Sequence, residues 1–120
     1  MIKMSCICIL SGLAWNPDLL LLPEQIEVLH KYKIGDIIAR GRYKGKKSEE
    51  GQLAISGQVD IMLDLLLSIK RKELWKLFNY INVNFNIEFE GQCNFELSNP
   101  QINKISELGI ELGITCYEKT

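Results

Sequence analysis

The sequence predicts an α+β domain in which helices cover one face of a mixed or antiparallel sheet. Strand-like segments alternate along the chain with two amphipathic helical segments, which begin near Val59 and Pro100. Two strand-like runs near the middle of the chain are close enough for a hairpin, which argues against a purely parallel sheet. Because 120 residues suffice for one domain, we expect residues 1–120 to form a single α+β domain.

The N-terminal segment predicts a buried strand followed by a short helix. Residues 3–10 are an apolar run that ends in a Ser-Gly turn, so this strand should lie at or near the centre of the sheet. Asn16 and Pro17 form a helix start, with Asn as N-cap and Pro in the first turn, and Pro23 stops that helix. Residues 25–32 fit either a helix or an irregular strand.

A hairpin is predicted in the middle of the chain. Residues 36–44 form its first strand, residues 46–51 its polar loop and residues 52–56 its return strand. Alternation places three cations on one face of the first strand: Arg40, Arg42 and Lys44.

The longest predicted helix begins at about Val59. Its apolar residues recur at steps of three and four: Val59, Met62, Leu63, Leu66 and Ile69. The basic residues 70–72 suit a helix C-terminus, yet helical spacing resumes at Leu74. We therefore expect a kinked or doubled helix.

The C-terminal third predicts further strands and one helix. Residues 82–90 alternate strictly, with Val83, Phe85, Ile87 and Phe89 on one face. Residues 93–97 and 114–118 are expected to be short strands. Between them, Ser98 and Pro100 start a helix whose buried stripe is Ile102, Ile105 and Leu108, and Gly109 or Gly113 ends it.

Charge and cysteine content exclude several classes of protein. Fourteen basic and 15 acidic residues give a net charge of −1, so no global field favours nucleic acid or an anionic membrane as a partner. Cys6, Cys8, Cys93 and Cys116 contain no C-x-x-C pair, and the chain has one histidine, so zinc is not expected. Each cysteine lies in an apolar run, which favours reduced, buried thiols in a cytosolic protein over the alternative of disulfides.

Catalytic patterns are absent from the sequence. His30 is not coupled by any feature to a nucleophile, and the glycines match neither the P-loop nor the dinucleotide-binding motif. Glu88 and Glu90 lie two apart on one predicted strand and fit an acid/base pair, but charge is also ordinary on a solvated strand face. We expect no enzymatic activity, catalytic residue, metal or cofactor.

Two sets of charged residues are candidates for binding a partner. A basic set, which fits either phosphates or an acidic protein surface, comprises Arg40, Arg42, Lys44, Lys46 and Lys47. An acidic set, which could meet a basic protein if the fold gathers it, comprises Glu49, Glu50, Asp60, Asp64, Glu88, Glu90 and Glu96.

Several short motifs resemble a bacterial family of small α+β domains of unknown function. They are N-P-D at residues 16–18, K-I-G-D at 33–36, G-Q-L-A-I-S at 51–56 and, most specifically, the segment 93–118 that ends in C-Y-E. Some members of that family resemble immunity proteins of polymorphic-toxin and contact-dependent growth-inhibition systems.

The resemblance implies a cytoplasmic immunity protein that binds and neutralises a toxin domain, such as a nuclease, by covering its active site. Its expected contacts are Glu49, Glu50, Asp60, Asp64, Glu88, Glu90, Arg40 and Arg42. The alternative function is a small-molecule or RNA-binding module that uses residues 40–47. The sequence leaves the toxin, the binding face and the oligomeric state open.

Overall fold

A five-stranded mixed sheet carries the fold in the computed structural model, which describes residues 2–119. Its strands are β1 (Ile2–Gly12), β2 (Glu27–Tyr32), β3 (Gly51–Gly57), β4 (Tyr80–Phe89) and β5 (Leu112–Glu118). They lie in the order β2-β3-β1-β4-β5, and only the β4–β5 pair is parallel. The α+β class and the central position predicted for the first strand are confirmed.

Two helices form a layer on the sheet. α1 (Val59–Arg71) contacts β1 and β3, and α2 (Asn99–Leu108) packs against α1. The predicted start of α2 is confirmed, because Ser98 and Gln101 form a reciprocal capping box, and Gly109 ends the helix in a left-handed conformation. No helix among residues 2–119 is long and apolar enough to cross a membrane.

The core lies between α1 and the sheet. Cys6 and Cys8 on β1 are fully buried and pair in register with Phe85 and Val83 on β4, so the four side chains share one face. Met62, Leu63 and Leu66 of α1 are also fully buried, as their spacing predicts. Leu65 and Leu67 are buried too, so α1 is enclosed around most of its circumference.

α1 ends earlier than the apolar spacing predicts. Lys72 follows the helix and Glu73 adopts φ 60°, a left-handed conformation that stops α-helical hydrogen bonding. The expected second half of the helix is a separate 3-10 turn of four residues, Leu74–Leu77.

The connection from β1 to β2, residues 13–26, is called the N-terminal connection, and it crosses close over β3. A Cβ atom on Gly51 would lie 1.9 Å from the carbonyl oxygen of Trp15, and one on Gly57 would lie 2.7 Å from Cδ1 of Ile26. Asn16 caps only the short turn Pro17–Leu19, whose Asp18 amide donates to the Asn16 side chain at 3.0 Å. The segment 25–32, for which the sequence allowed either a helix or an irregular strand, contains strand β2. This strand pairs with β3 and has a bulge between Val28 and His30.

The predicted strand over residues 36–44 is wrong. β3 pairs with β2 and β1 instead, and residues 33–50 form the loop from β2 to β3. Gly41 and Gly45 both adopt φ +86°, which a strand does not allow. The chain therefore folds back on itself, with Ile37 bridging Lys47, and Arg40, Arg42 and Lys44 lie at the exposed tip of the loop rather than on a strand face.

Three expectations for the C-terminal third are also wrong. Residues 93–97 form no strand but part of the irregular connection 90–98, which leads to α2. Ile102 is 48% exposed, because α2 turns mainly Leu108 and Ile105 toward the core. Cys93 is half-buried and Cys116 is exposed, since β5 is an edge strand with little packed over it.

One pair of leucine substitutions tests this core. We expect Leu66→Ala to lower the free energy of unfolding by about 2–5 kcal/mol, because it leaves a cavity where a side chain is 0% exposed. The matched change Leu21→Ala, at a side chain 90% exposed, should stay within about 0.5 kcal/mol. Urea denaturation followed by circular dichroism measures both, and equal losses at the two sites would contradict the packing of α1.

Candidate functional site

Among residues 2–119, both α-helices belong to the layer on one side of the sheet, so the opposite sheet face is a candidate binding surface. Registers across the strands place Ile7 and Ile9 of β1 at its centre, beside Asn84 and Asn82 of β4. Tyr80 and Tyr117 are 52% and 48% exposed on this face. We call it the open face, and its principal side chains on β4 and β5 are Tyr80, Asn82, Asn84, Asn86, Thr115 and Tyr117.

Hydrogen bonds order the polar side chains of the open face. Asn84 Nδ2 donates to Asn86 Oδ1 at 2.8 Å and to Thr115 Oγ1 at 3.1 Å, which joins β4 to β5 through side chains. Gly113 permits this arrangement, because a Cβ atom there would lie 2.4 Å from Asn84 Oδ1. The network holds its amides in place before any partner binds, which lowers the entropic cost of binding.

The basic residues lie beside one end of the open face. The backbone N–H of Ala39 donates to Tyr32 Oη at 3.1 Å and ties the loop 33–50 to a side chain on that face. Between loop and sheet is a groove of about 460 Å³, whose walls include Leu13, Tyr43, Lys46, Lys47 and Gln52. Two cations lie over the Tyr43 ring, with Arg42 Cζ at 5.9 Å and Lys46 Nζ at 5.7 Å from its centroid.

The acidic candidates are not brought together. Asp60 and Asp64 lie on α1 and contact α2, where Asp60 Oδ1 accepts from Gln101 Nε2 at 3.0 Å and Asp64 Oδ1 from Lys104 Nζ at 2.7 Å. Glu49 and Glu50 border the groove beside the basic loop. The helical pair and the loop pair therefore belong to different surfaces.

Glu88 and Glu90 lie at the far end of β4 from the loop. Glu88 is on the open face, opposite Lys3 of β1 and Tyr117 of β5. Glu90 follows the strand, and its Oε1 is 3.8 Å from Lys119 Nζ. Glu96 is exposed in the connection 90–98.

Three exposed ion pairs join neighbouring elements around the site. Hydrogen bonds from Lys31 and Lys33 to the Asp18 carboxylate lower the pKa of Asp18, and its oxygens are 2.7 Å and 3.2 Å from the two ammonium groups. The hydrogen bond from Arg71 lowers the pKa of Glu107 in the same way, with Nε 2.9 Å from Oε2. The two pairs of Asp18 link the connection between β1 and β2 to β2 and the residue that follows it, and the Arg71–Glu107 pair joins α1 to α2.

His30 lies on β2 and stacks on Tyr32, with ring centroids 5.4 Å apart. Its Nε2 is buried and has no hydrogen-bond partner among the described residues. Among residues 2–119, no three His, Cys, Asp or Glu side chains are grouped so that they could hold a metal ion.

The open face was not predicted from the sequence. The alternation in β4 marks Asn82, Asn84 and Asn86 as a polar face, but only the register shows that Ile7 and Ile9 lie beside them. Comparison of the chain with protein-family models, with curated proteins and with solved structures gives no match.

The different environments of the thiols predict which cysteines react. Burial raises the pKa of Cys6 to about 12 and also raises that of Cys8, so neither supplies thiolate near neutral pH. In the native reduced protein at pH 8, iodoacetamide should therefore modify Cys116 and Cys93 but not Cys6 or Cys8. Mass spectrometry of tryptic peptides measures this, with guanidinium-unfolded protein as the control in which all four react. Rapid native labelling of Cys6 would contradict the burial of β1.

Proposed function

We propose that this chain is a cytoplasmic immunity protein that binds a toxin domain, such as a nuclease, and covers its active site. The observation that carries the proposal is the open face, with exposed Tyr80 and Tyr117 around a preordered asparagine network. Tyrosine and asparagine are typical of protein-binding surfaces, because tyrosine offers a large contact area with few rotatable bonds and asparagine offers adaptable hydrogen bonds.

The distribution of charge supports a protein partner of defined orientation. Five of the 14 basic residues lie between positions 40 and 47, at one end of the open face. Glu88 and Glu90 lie at the other end of β4. Glu49 and Glu50 lie among these cations, and Lys3 and Lys119 lie beside the two carboxylates, so the loop end has the larger net positive charge. This asymmetry favours one docking orientation, because complementary potentials steer the encounter.

The proposal assigns the candidate contacts unequal roles. Arg40 and Arg42 on the loop, and Glu88 at the far end of the open face, are proposed as outer contacts, which set the association rate more than the affinity. Asp60 and Asp64 contact α2 side chains in the helical layer and are proposed to act only in the stability of the fold.

Single-stranded RNA is the second candidate ligand. The arrangement that favours it is the exposed Tyr43 ring beside Arg42 and Lys46, because bases stack on aromatic rings while cations bind the backbone phosphates. This ligand would occupy the loop and groove rather than the asparagine network.

Co-expression tests the immunity proposal. The C-terminal domain of the protein encoded immediately upstream should arrest growth, and this chain should relieve the arrest. The double variant Asn82→Ala, Tyr117→Ala should weaken binding of that domain by at least about 10-fold, since aromatic contacts carry a large share of interface energy. The matched control Asn103→Ala, on the exposed side of α2, should protect fully.

A harmless neighbouring domain, or equal protection by the open-face variant and Asn103→Ala, would contradict the proposal. The RNA candidate is tested with a fluorescent single-stranded oligonucleotide and the charge reversal Arg40→Glu, Arg42→Glu. Salt-sensitive binding that this variant abolishes would favour RNA, whereas no binding by the parent chain would exclude it.

A further inference from the structure

β5 is an edge strand of the sheet, and its outer backbone groups are unpaired among residues 2–119. The strand pairs with β4 through an unbroken register of seven residues, from Leu112 to Glu118. Apart from this ladder, no backbone hydrogen bond in the described part of the chain involves residues 112–118. Alternate N–H and C=O groups of β5 therefore point away from the sheet, where another strand can pair with them.

The other edge strand, β2, is protected against such pairing, whereas β5 is not. β2 has a bulge between Val28 and His30, and its Lys31 forms an ion pair with Asp18. Bulges and lysines are two of the devices by which proteins keep edge strands from pairing. Between its first and last residues, β5 has no bulge, no proline and no lysine. The two edges of the sheet therefore differ in their capacity to accept a strand.

Both faces of β5 carry exposed apolar side chains. Ile114 and Cys116 are opposite the buried residues Phe85 and Ile87 in the register with β4, so they face the helical layer. Ile114 is nevertheless 46% exposed, and Tyr117 on the open face is 48% exposed. The helical layer therefore does not cover this edge, and a further strand beside β5 would remove these side chains from water.

We propose that β5 pairs antiparallel with β5 of a second copy of this chain, about a two-fold axis that passes through Thr115. In this register Tyr117 lies opposite Gly113 of the second copy, whose lack of a side chain lets the tyrosine ring approach the backbone beside Asn84. Every contact occurs twice, because a two-fold interface uses the same surface of both copies. The two five-stranded sheets become one continuous sheet, and this pairing holds whether or not the chain binds a toxin.

Charge complementarity favours the same register. Glu111 and Lys119 flank β5, one residue before it and one after it, and an axis through Thr115 places each opposite the other residue of the second copy. Lys119 Nζ is 3.8 Å from Glu90 Oε1, but the lysine side chain remains 59% exposed and can reach a second carboxylate. Moving the axis by one residue in either direction removes both this ion pair and the glycine opposite Tyr117.

Sedimentation equilibrium of the full, reduced chain over a concentration series measures this pairing and should show a reversible equilibrium between monomer and dimer. Ile114→Lys should raise the dissociation constant of the dimer by at least about 10-fold, because a lysine on an edge strand opposes pairing. The matched control Ile102→Lys, at a side chain of similar exposure on α2, should leave that constant unchanged. A chain that stays monomeric up to about 1 mM, or equal effects of the two variants, overturns the proposal.

A charge exchange tests the register with surface changes that leave the core intact. Glu111→Lys should weaken the dimer about 10-fold, because both symmetry-related ion pairs become repulsive. The double variant Glu111→Lys, Lys119→Glu should restore the affinity of the parent chain. Failure of the double variant to restore it overturns the proposal.

Cross-linking locates the two-fold axis. The double variant Thr115→Cys, Cys116→Ser places one thiol of each copy on the axis, where facing Cα atoms are about 4.5–5.5 Å apart, a separation that a disulfide spans. Mild oxidation of the native protein should therefore link two copies of this variant. The parent chain should form no such link through Cys116, which lies opposite Ile114 in this register. A disulfide between the Cys116 residues of two parent chains would place the axis elsewhere and overturn the proposal.

Discussion

The enclosure of α1 is the constraint on which the rest of this structure depends. Its residues Met62, Leu63 and Leu66 are fully buried, and Leu65 and Leu67 on other sides are buried as well. A helix that is apolar around most of its circumference must be covered by the sheet on one side and by other segments elsewhere. α2, the 3-10 turn Leu74–Leu77 and the apolar face of the sheet supply that cover.

Because the helices pack on one face of the sheet, the opposite face stays open and can bind a partner. Along β4 each residue that faces α1 alternates with one that does not, so burying Val83 and Phe85 presents Asn82, Asn84 and Asn86 on the other side. The proposed binding surface is thus a direct consequence of how α1 is covered. The same geometry separates it from Asp60 and Asp64, which lie in the helical layer.

Close backbone contacts decide where the basic loop lies. The N-terminal connection crosses β3 at Gly51 and Gly57, positions where a Cβ atom would collide with Trp15 and Ile26. The ion pairs of Asp18 then fix this connection to β2, the strand from which the loop 33–50 begins. None of these contacts joins residues close in sequence, so local patterns could not reveal them.

Strong local patterns predicted most elements correctly. The strict alternation in residues 82–90, the helical spacing from Val59 and the cap at Ser98 each correspond to a strand or helix of the structure. The errors fell where the local pattern was ambiguous. Arg40, Arg42 and Lys44 alternate as in a strand, but the left-handed glycines between and after them turn the chain back.

The sequence by itself determined the α+β class, the central first strand and the polar and apolar faces of β4, because these follow from side-chain periodicity. Only the tertiary structure decided which faces are covered and which candidate residues meet. It placed the basic loop beside the open face and dispersed the acidic residues. The reason is that periodicity fixes which side of an element a residue occupies, whereas strand order and register fix its neighbours.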